Sequence, residues 1–473
     1  MTRPAPASYR TWRSSRARTE ETRALDPTKR LAHRSAASLP QFTTSAHRLD
    51  PVLGGALMKL RTLIFWPHLI AGVSAGAVIL LMSVTGVLLT YERQMIAWAD
   101  SDFRSVVPSS GAERLPVETV LERFRQQRSV VPTAITIGSA TDAPVTLTVP
   151  QQTLYADAYT GNLLGEGSEG VRPFMTELRA WHRWLAVDGE GRPVARAITG
   201  WSNFIFLFIV VSGVYLWFPR TWMWRQVKPV VVFNGKLRGK ARDFNWHNVI
   251  GSWSAVILFI VVLGAMPISF PWANALVYRL VGEEPPAPAG GRRAPVARTG
   301  AAASVRGGGR SDEAQPPTGL DSGARNRFDG LNTLWARAER QVPGWRTINL
   351  RIPTSATAPV VFAIDKGNGG QPQLRSTLTL DRSTRDILSY EDFSDQSLGR
   401  QLRSILRFAH TGEVLGIGGQ TLAGFASAGG AVLVWTGLAL AIRRFRAWLK
   451  RRAGYAVPQE QSTSAESGFT VQN

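Results

Sequence analysis

Four long runs of residues without Asp, Glu, Lys or Arg divide the chain. They cover residues 62–91, 197–219, 244–278 and 414–442, and are 30, 23, 35 and 29 residues long. Because about 20 apolar residues cross the hydrocarbon core of a bilayer as a helix, each run is long enough to span it. The first run is longer than the apolar core of a secretory signal peptide, which has roughly 7–15 residues. The pattern predicts four transmembrane helices.

The two long segments between these runs, about 92–195 and 280–412, have a different pattern. Each contains an amphipathic stretch with a helical period, VETVLERFRQQR in the first and LNTLWARAERQV in the second. Alternating runs typical of strands follow, PVTLTV and TLYADAY in the first segment and PVVFAID and STLTLD in the second. We therefore expect a small α+β domain in each segment.

Features at matching positions in the two halves indicate an internal duplication. The predicted fold class is a membrane α-helical protein with four transmembrane helices from this duplication and two small α+β domains. The matching features are His68 and His247 at the start of spans one and three, Thr85-Gly86 and Gly264 about 17 residues later, His182 and His410 before spans two and four, and Ser212-Gly213 and Thr436-Gly437 within those spans.

The predicted segments follow from these patterns. Residues 1–57 are Arg-, Ser- and Ala-rich, and we expect a disordered extension, with Met58 as an alternative natural start. The Pro/Gly-rich residues 283–327 are expected to be a flexible insertion. The other segments are span one (59–93), the first outer domain (94–180), a histidine segment with span two (181–219), a basic loop (220–243), span three (244–279), the second outer domain (280–408), a histidine segment with span four (409–446), and a tail (447–473).

The distribution of basic residues predicts the orientation. Residues 1–61, 219–243 and 443–473 together hold 25 Lys and Arg against 7 Asp and Glu, whereas the rest of the chain holds 30 against 27. Because Lys and Arg concentrate in cytoplasmic loops, both termini are expected inside and both outer domains in the periplasm. The net charge of +21 is then a topology signal, to which attraction to anionic membrane lipid adds. No nucleic-acid-binding motif accompanies it.

The composition restricts the metal chemistry. The chain has no cysteine and six histidines, which excludes disulfides, iron–sulfur clusters, thiolate haem ligation and cysteine zinc sites. Four histidines lie in or beside the spans, and an ionisable residue there indicates function, although a single one would more simply be a polar tip at the headgroup level. We expect two pairs at two depths: His68 with His247 near the cytoplasm, and His182 with His410 near the periplasm.

Paired histidines without an inward carboxylate favour haem over other metals. Zinc needs four ligands or three and a water, and non-haem iron needs two histidines and a carboxylate. Bis-histidine haem needs facing imidazoles and a close approach to the backbone, and glycines recur in all four spans, although they also serve plain helix packing. The sequence therefore predicts bis-histidine haem, in two copies, with its iron held by His68, His247, His182 and His410.

The blocks around these histidines resemble a known family. FAHTGEVLGIGGQTLAGFASAGGAVLVWTGLALAIRR, FWPHLIAGVSAGAVILLMSVTGVLLTYE, WHRWL and FNWHNVIGSWSA are similar to blocks of the PepSY-associated transmembrane family, iron-regulated membrane proteins that include siderophore reductases, and LYADAYTGNLLGE is similar to the end of its PepSY domain. The resemblance covers residues 59–450 without the insertion. It implies two periplasmic PepSY-type domains, b-type haem and electron transfer to periplasmic ferric chelates in the bacterial inner membrane. The insertion, and Arg385 where the first half has Gly161, leave the chelate open.

Two functions therefore remain open. The first is an inner-membrane electron-transfer protein that reduces ferric siderophores or related ferric chelates, with electrons from a quinol or a cytoplasmic reductase because the chain has no nucleotide-binding glycine motif. The alternative is a haem-free PepSY-domain membrane protein that binds peptides or regulates a periplasmic peptidase. A chelate permease would need broken helices, which these spans do not predict. Candidate contacts for an anionic chelate are Trp181, Trp184, Trp335, Trp345, Arg346 and Arg351; no catalytic residue is predicted.

Overall fold

The computed structural model describes residues 51–108, 111–128, 130–150, 152–219, 222–286, 327–353, 355 and 357–454 of the 473-residue chain. The expectations for residues 1–50, for most of the insertion and for the tail after Tyr455 lie outside this part. The first helix begins at Pro51, whereas the sequence predicts disorder up to residue 57. Proline suits the first position of a helix, because the amide hydrogen that it lacks would have no partner there.

The described residues form eleven α-helices. These are α1 (Pro51–Leu89), α2 (Glu92–Ala99), α3 (Val117–Gln127), α4 (Val171–Trp184), α5 (Arg192–Trp217), α6 (Trp224–Val231), α7 (Gly239–Ser269), α8 (Pro271–Leu280), α9 (Leu331–Gln341), α10 (Leu398–His410) and α11 (Gly416–Gly454). Within the described part, four helical segments are long and apolar enough to cross a membrane: Leu60–Leu89, Gly189–Trp217, Gly239–Ser269 and Glu413–Arg452. The predicted number of spans is confirmed there.

The four spans pack around small residues. The central helix α7 contacts α5, α10 and α11. Gly430 of α11 faces one side chain from each of the other three spans, Ser83, Phe206 and Leu258. Because glycine has no side chain, all four helices approach closely at this level. Much of the remaining apolar surface of the spans is exposed on the outside of the bundle, as lipid contact requires.

The segments that separate the spans along the chain form one antiparallel sheet of eight strands in the described part of the protein. The strands are β1 (Ala134–Gly138), β2 (Val145–Val149), β3 (Gln152–Ala156), β4 (Leu163–Glu166), β5 (Thr347–Arg351), β6 (Val360–Asp365), β7 (Arg375–Leu380) and β8 (Ile387–Glu391). Their order across the sheet is β4-β3-β2-β1-β5-β6-β7-β8. Alternation defines the buried face: Val145, Leu147 and Val149 are buried, whereas Thr146 and Thr148 between them are partly exposed.

The sheet joins the two segments that the sequence predicts as separate α+β domains. Strand β1 of the first segment pairs with β5 of the second, with Thr136 opposite Asn349. Without this pairing each set of four strands would leave an additional edge with unpaired N–H and C=O groups. Helices α3 and α9 contact each other, and they exchange hydrogen bonds at their first turns, Asn332 N–H to Glu118 Oε1 (2.9 Å) and Glu118 N–H to Asn332 Oδ1 (3.0 Å). One core of buried residues runs beneath both halves of the sheet.

Candidate functional site

The four histidines beside the spans lie at two levels of the bundle. His68 is in α1 and His247 is in α7. Both lie toward the side of the bundle where the basic loop and the tail are found. His182 is in α4 and His410 ends α10, the two short helices that lead from the sheet into spans two and four. We call His68 and His247 the basic-side pair and His182 and His410 the sheet-side pair. All four residues are partly exposed, although their side chains lie among packed helices.

Each imidazole is held through its Nδ1 atom by a neighbouring span. Three of the partners are hydroxyls: Ser212 for His68 (2.8 Å), Thr85 for His182 (2.9 Å) and Thr436 for His247 (3.0 Å). The fourth partner is the carbonyl oxygen of Val261, 2.8 Å from Nδ1 of His410. Thr85 lies 17 residues after His68 in α1, about 25 Å along the helix. The two levels are therefore separated by most of the bilayer core.

The hydroxyl groups determine which ring nitrogen carries the proton. The Thr85 hydroxyl donates to the carbonyl of Leu81 (2.7 Å), and the Ser212 hydroxyl donates to that of Phe208 (2.6 Å). Thr436 donates to Val432 in the same way (2.8 Å). A hydroxyl has one hydrogen, so each oxygen is left to accept from the imidazole.

All four rings consequently carry their proton on Nδ1, because a carbonyl oxygen such as that of Val261 can only accept. The Nε2 atom then keeps a free lone pair. A hydrogen bond from the second ring nitrogen is the arrangement that orients metal-ligating histidines. Each of these four side chains is thus oriented as a metal-ligating histidine would be.

A glycine lies beside each ring in the neighbouring span. Methyl groups at Gly86, Gly213 and Gly437 would lie 3.5, 3.4 and 3.4 Å from the Cε1 atoms of His182, His68 and His247. At the fourth position the approach is closer, since a methyl group on Gly264 would lie 2.5 Å from the carbonyl oxygen of Leu406. Gly264 therefore lets α10 approach α7 closely enough for His410 to reach the Val261 carbonyl.

The two rings of the sheet-side pair are close neighbours. Their centroids are 6.2 Å apart and their planes are inclined by 44°. A ligating nitrogen lies about 2 Å from its metal and roughly 1 Å from the centre of its own ring, so trans imidazoles on one metal have centroids about 6 Å apart. The observed separation fits this requirement. In the basic-side pair, His247 lies within electrostatic range of His68.

The surroundings of the sheet-side histidines keep their imidazole rings neutral. The packed helices desolvate the imidazole of His182, and this, with the neighbouring His410, lowers the pKa of His182 to about 3. Desolvation also lowers the pKa of His410. An imidazole must be neutral to ligate a metal, so both are in the required state at physiological pH. In the described part of the chain, no cluster of three or more His, Asp or Glu side chains is arranged to hold a metal ion.

A polar network fixes the helix that carries His182 to the sheet and to span two. Asp100, whose side chain is 4% exposed, pairs with Arg172 of α4. It also accepts from the Tyr155 hydroxyl (2.8 Å) and from the Ser168 N–H (2.7 Å). At the other end of α4, the Thr199 hydroxyl donates to the carbonyl of Arg183 (2.8 Å). Both ends of the histidine helix are thereby anchored.

The residues predicted from the sequence as candidate contacts for a chelate lie in different parts of the structure. Trp335 is 6% exposed and packs against Phe362 in the core of the sheet layer. Trp181 is exposed on α4, and the Trp184 ring lies against the guanidinium of Arg183 at 4.7 Å. Sequence analysis did not single out Arg183 or Arg407, which lie on the two sheet-side histidine helices. Their signal was only their spacing, one residue after His182 and three before His410.

Comparison with known proteins gives one match to a family. The family model described as PepSY-associated TM region matches residues 65–444, which include all four span-length segments in large part and all four histidines. No curated protein matches the chain.

Proposed function

The chain belongs to the PepSY-associated transmembrane family, and we propose that it is a haem-containing electron-transfer protein of the bacterial inner membrane that reduces periplasmic ferric siderophores or related ferric chelates for iron uptake. The single observation that carries this proposal is the 6.2 Å separation of the His182 and His410 rings, with Nδ1 of each engaged as a donor. That arrangement would let His182 and His410 both bind one metal ion through Nε2.

The four histidines would hold two haem groups. His182 and His410 would hold one near the sheet, and His68 and His247 the other near the basic loop. Haem in such sites supplies reversible one-electron transfer. The protein's own part is to fix each imidazole through Ser212, Thr85, Thr436 or the Val261 carbonyl, and to keep water away with the apolar spans.

The proposed direction of electron transfer is from the cytoplasmic side to the periplasm. The excess of Lys and Arg lies in residues 1–61, 219–243 and 443–473, and the positive-inside rule places these segments in the cytoplasm. The sheet would then lie in the periplasm, next to the sheet-side pair. Electrons would be supplied by a quinol or by a separate cytoplasmic reductase.

Visible spectroscopy of the purified full-length protein tests this proposal. The expected result is a b-type, six-coordinate haem spectrum whose bands sharpen on reduction with dithionite and return to the oxidised form when a ferric chelate is added. A colourless protein, even after growth with added haem precursor, would overturn the proposal and favour the haem-free peptide-binding alternative.

A further inference from the structure

We propose that Arg183 and Arg407 form a carboxylate-binding site beside the sheet-side histidine pair. The two arginines come from the two helices that carry this pair. Arg183 directly follows His182 in α4, and Arg407 lies one helical turn before His410 in α10. The two imidazoles lie 6.2 Å apart, and the two guanidiniums interact electrostatically with each other. The identity of the ligand, though not the site itself, rests on the proposed function.

Both guanidiniums are accessible from outside the protein and are positioned by an aromatic ring. Arg183 lies 4.7 Å from the centre of the Trp184 ring, and Arg407 lies 5.4 Å from that of Phe408. Both side chains are exposed. Stacking on a ring leaves the N–H groups at the guanidinium edge available, and these are the donors that bind a carboxylate in bidentate fashion.

The surroundings of the two arginines carry an excess of positive charge. Five further arginines act electrostatically on Arg183 or Arg407; they are Arg93, Arg179, Arg196, Arg375 and Arg403. Three of the five are paired with carboxylates: Arg93 with Glu413 at 2.9 Å, Arg375 with Asp365 at 3.0 Å, and Arg179 with Glu92.

The other arginines of this group have no such partner. Arg196 donates to the carbonyl of Ile268 (3.3 Å), and Arg403 donates to the side-chain oxygen of Asn274 (2.6 Å). In the part of the chain that the structure describes, Arg183 and Arg407 form no ion pair with a carboxylate. Glu413 attracts Arg407, but it is already paired with Arg93. Positive charge is therefore in excess around Arg183 and Arg407, a setting that favours the binding of an anion.

A buried donor beside Arg183 also favours an anion at this place. The indole N–H of Trp184, the ring against which Arg183 lies, is buried without a hydrogen-bond partner among the described residues. A buried donor without a partner is costly, and a carboxylate oxygen bound between the arginines is one acceptor that would satisfy it.

Two sources can bring a carboxylate to this place. One is the pair of propionate groups on a haem held by His182 and His410. The other is a carboxylate-bearing ferric chelate that docks from the periplasm. Both use the same chemistry, a planar anion on a guanidinium, and an experiment with separate arms distinguishes them.

The experiment compares the Arg183→Gln/Arg407→Gln double variant with an Arg337→Gln/Arg340→Gln control. The control arginines are exposed on α9, which covers the sheet, and their replacement removes the same charge. In the first arm, haem and haem dimethyl ester are titrated into haem-depleted full-length protein, and the potential of the sheet-side haem is measured. In the second arm, KM is measured for ferric citrate and for a ferric trihydroxamate that has no carboxylate.

If propionates are the ligand, the wild type prefers haem over its dimethyl ester, and the double variant loses at least about tenfold of this preference. The potential of the sheet-side haem also falls, because two cations that favour the reduced form are gone. If the chelate is the ligand, KM for ferric citrate rises about tenfold, while KM for the trihydroxamate and the haem affinity stay unchanged. Either result supports the carboxylate site and names its source.

The proposal is overturned if the double variant matches the control in both arms; a structural or lipid-facing role for the two arginines would then explain them. A protein without any haem would refute the proposed function but leave this site testable. In that case citrate alone is titrated calorimetrically into the full-length protein, and binding that is lost in the double variant and kept in the control supports the site. Absence of citrate binding to the wild-type protein would refute it.

Discussion

The imidazole rings of His182 and His410 lie 6.2 Å apart although the two residues belong to opposite halves of the chain. Neither ring is carried by a span. Each lies in or at the end of a short helix that leads into one, and each is held by the other span of its own half, His182 by Thr85 of α1 and His410 by Val261 of α7. The pair therefore depends on how the four spans pack, and a change in either half alters the same site.

Replacing either member of a pair by alanine should remove the same haem. His182→Ala and His410→Ala should each abolish the spectral component of the sheet-side site and leave the other component in place, since an axial ligand is lost and the basic-side pair is about 25 Å away along α1. His68→Ala and His247→Ala should do the reverse. Redox titration with optical detection resolves the two components.

His47→Ala is the control, because His47 is not one of the four paired histidines. It should leave both spectral components unchanged. If His68→Ala and His182→Ala instead abolished one shared component, the pairing across the two halves would be wrong.

The hydroxyl groups that hold Nδ1 should tune the haem without being its ligands. In Ser212→Ala, His68 keeps its Nε2 but loses the acceptor for its Nδ1–H. We expect the haem affinity of the basic-side site to fall by about 10–100-fold, as for other outer partners of metal ligands, and its potential to shift while the six-coordinate spectrum stays. Ser74→Ala, which removes a hydroxyl bonded to its own helix at 3.1 Å, should change neither. Equal effects of the two substitutions would show that the hydroxyl acts only on helix packing.

A methyl group at Gly264 should disrupt the sheet-side pair. It would lie 2.5 Å from the Leu406 carbonyl and 3.1 Å from the amide nitrogen of His410, so α10 must move away from α7. We expect Gly264→Ala to destabilise the protein by about 1–3 kcal/mol and to weaken haem binding at this site, measured by thermal unfolding in detergent and by haem content. Gly72→Ala is the matched control, since nothing lies within 4 Å of a methyl group there. A Gly264→Ala protein with unchanged haem content would contradict the role given to this contact.

The anchor of α4 should weaken at acidic pH. Burial opposes the ionisation of Asp100, but hydrogen bonds from Ser168, Arg172 and Tyr155 outweigh it and lower the pKa of this carboxyl. A carboxyl whose pKa is lower in the folded state than in the unfolded state stabilises the fold at pH values above the unfolded-state pKa, about 3.9. This contribution is lost as the pH falls below that value and through the folded-state pKa. Asp100→Asn should therefore reduce the free energy of unfolding at pH 7 by roughly 1.5–3 kcal/mol. This loss lowers Tm.

The difference in Tm between wild type and Asp100→Asn should narrow as the pH is lowered from 6 to 3. Asp102→Asn, a change at a neighbouring exposed carboxylate, should have little effect at any pH. A constant difference across the pH range would mean that the charge of Asp100 is not what stabilises the anchor.

Reporter fusions test the orientation. A fusion after Trp222, in the basic loop, should report a cytoplasmic location, and a fusion after Gly308 a periplasmic one, because Lys and Arg are retained on the cytoplasmic side. Alkaline phosphatase and green fluorescent protein give opposite signals at each position. A cytoplasmic signal at Gly308 would reverse the orientation and, with it, the proposed direction of electron transfer.

The span positions could be predicted closely from the absence of charge, but their ends could not. The charge-free run of span three continues to residue 278, whereas α7 ends at Ser269 and α8 begins at Pro271. Phe270 between them is extended, because a proline disfavours helical backbone in the residue before it. Strands with strong alternation, such as β2 and β7, were visible in the sequence. Short strands such as β4 (LLGE) have too few alternating positions to be recognised.

The repeat of equivalent positions in the two halves singled out the four histidines in the sequence, and their role as ligands stays a prediction. The pairs of a hydroxyl residue and a glycine, such as Ser212-Gly213, were visible as part of this repeat. Their role in holding the histidines was not, since the bond from Ser212 to His68 joins residues 144 positions apart. The junction of β1 with β5 was missed for a similar reason: strand pairing between distant segments leaves no local signal. Val261 could not be identified at all, because it acts through its backbone carbonyl.

The register of β1 against β5 is centred, with Thr136 opposite Asn349 and Ala134 opposite Arg351. Such antiparallel pairing is self-complementary, so a local twofold axis passes through the junction. Each half-chain contributes four strands, two span-length helices and one histidine to each pair. A polypeptide ending after α5 would thus present an open β1 edge and two single imidazoles. Two identical copies of it would close the sheet and complete both histidine pairs as a homodimer.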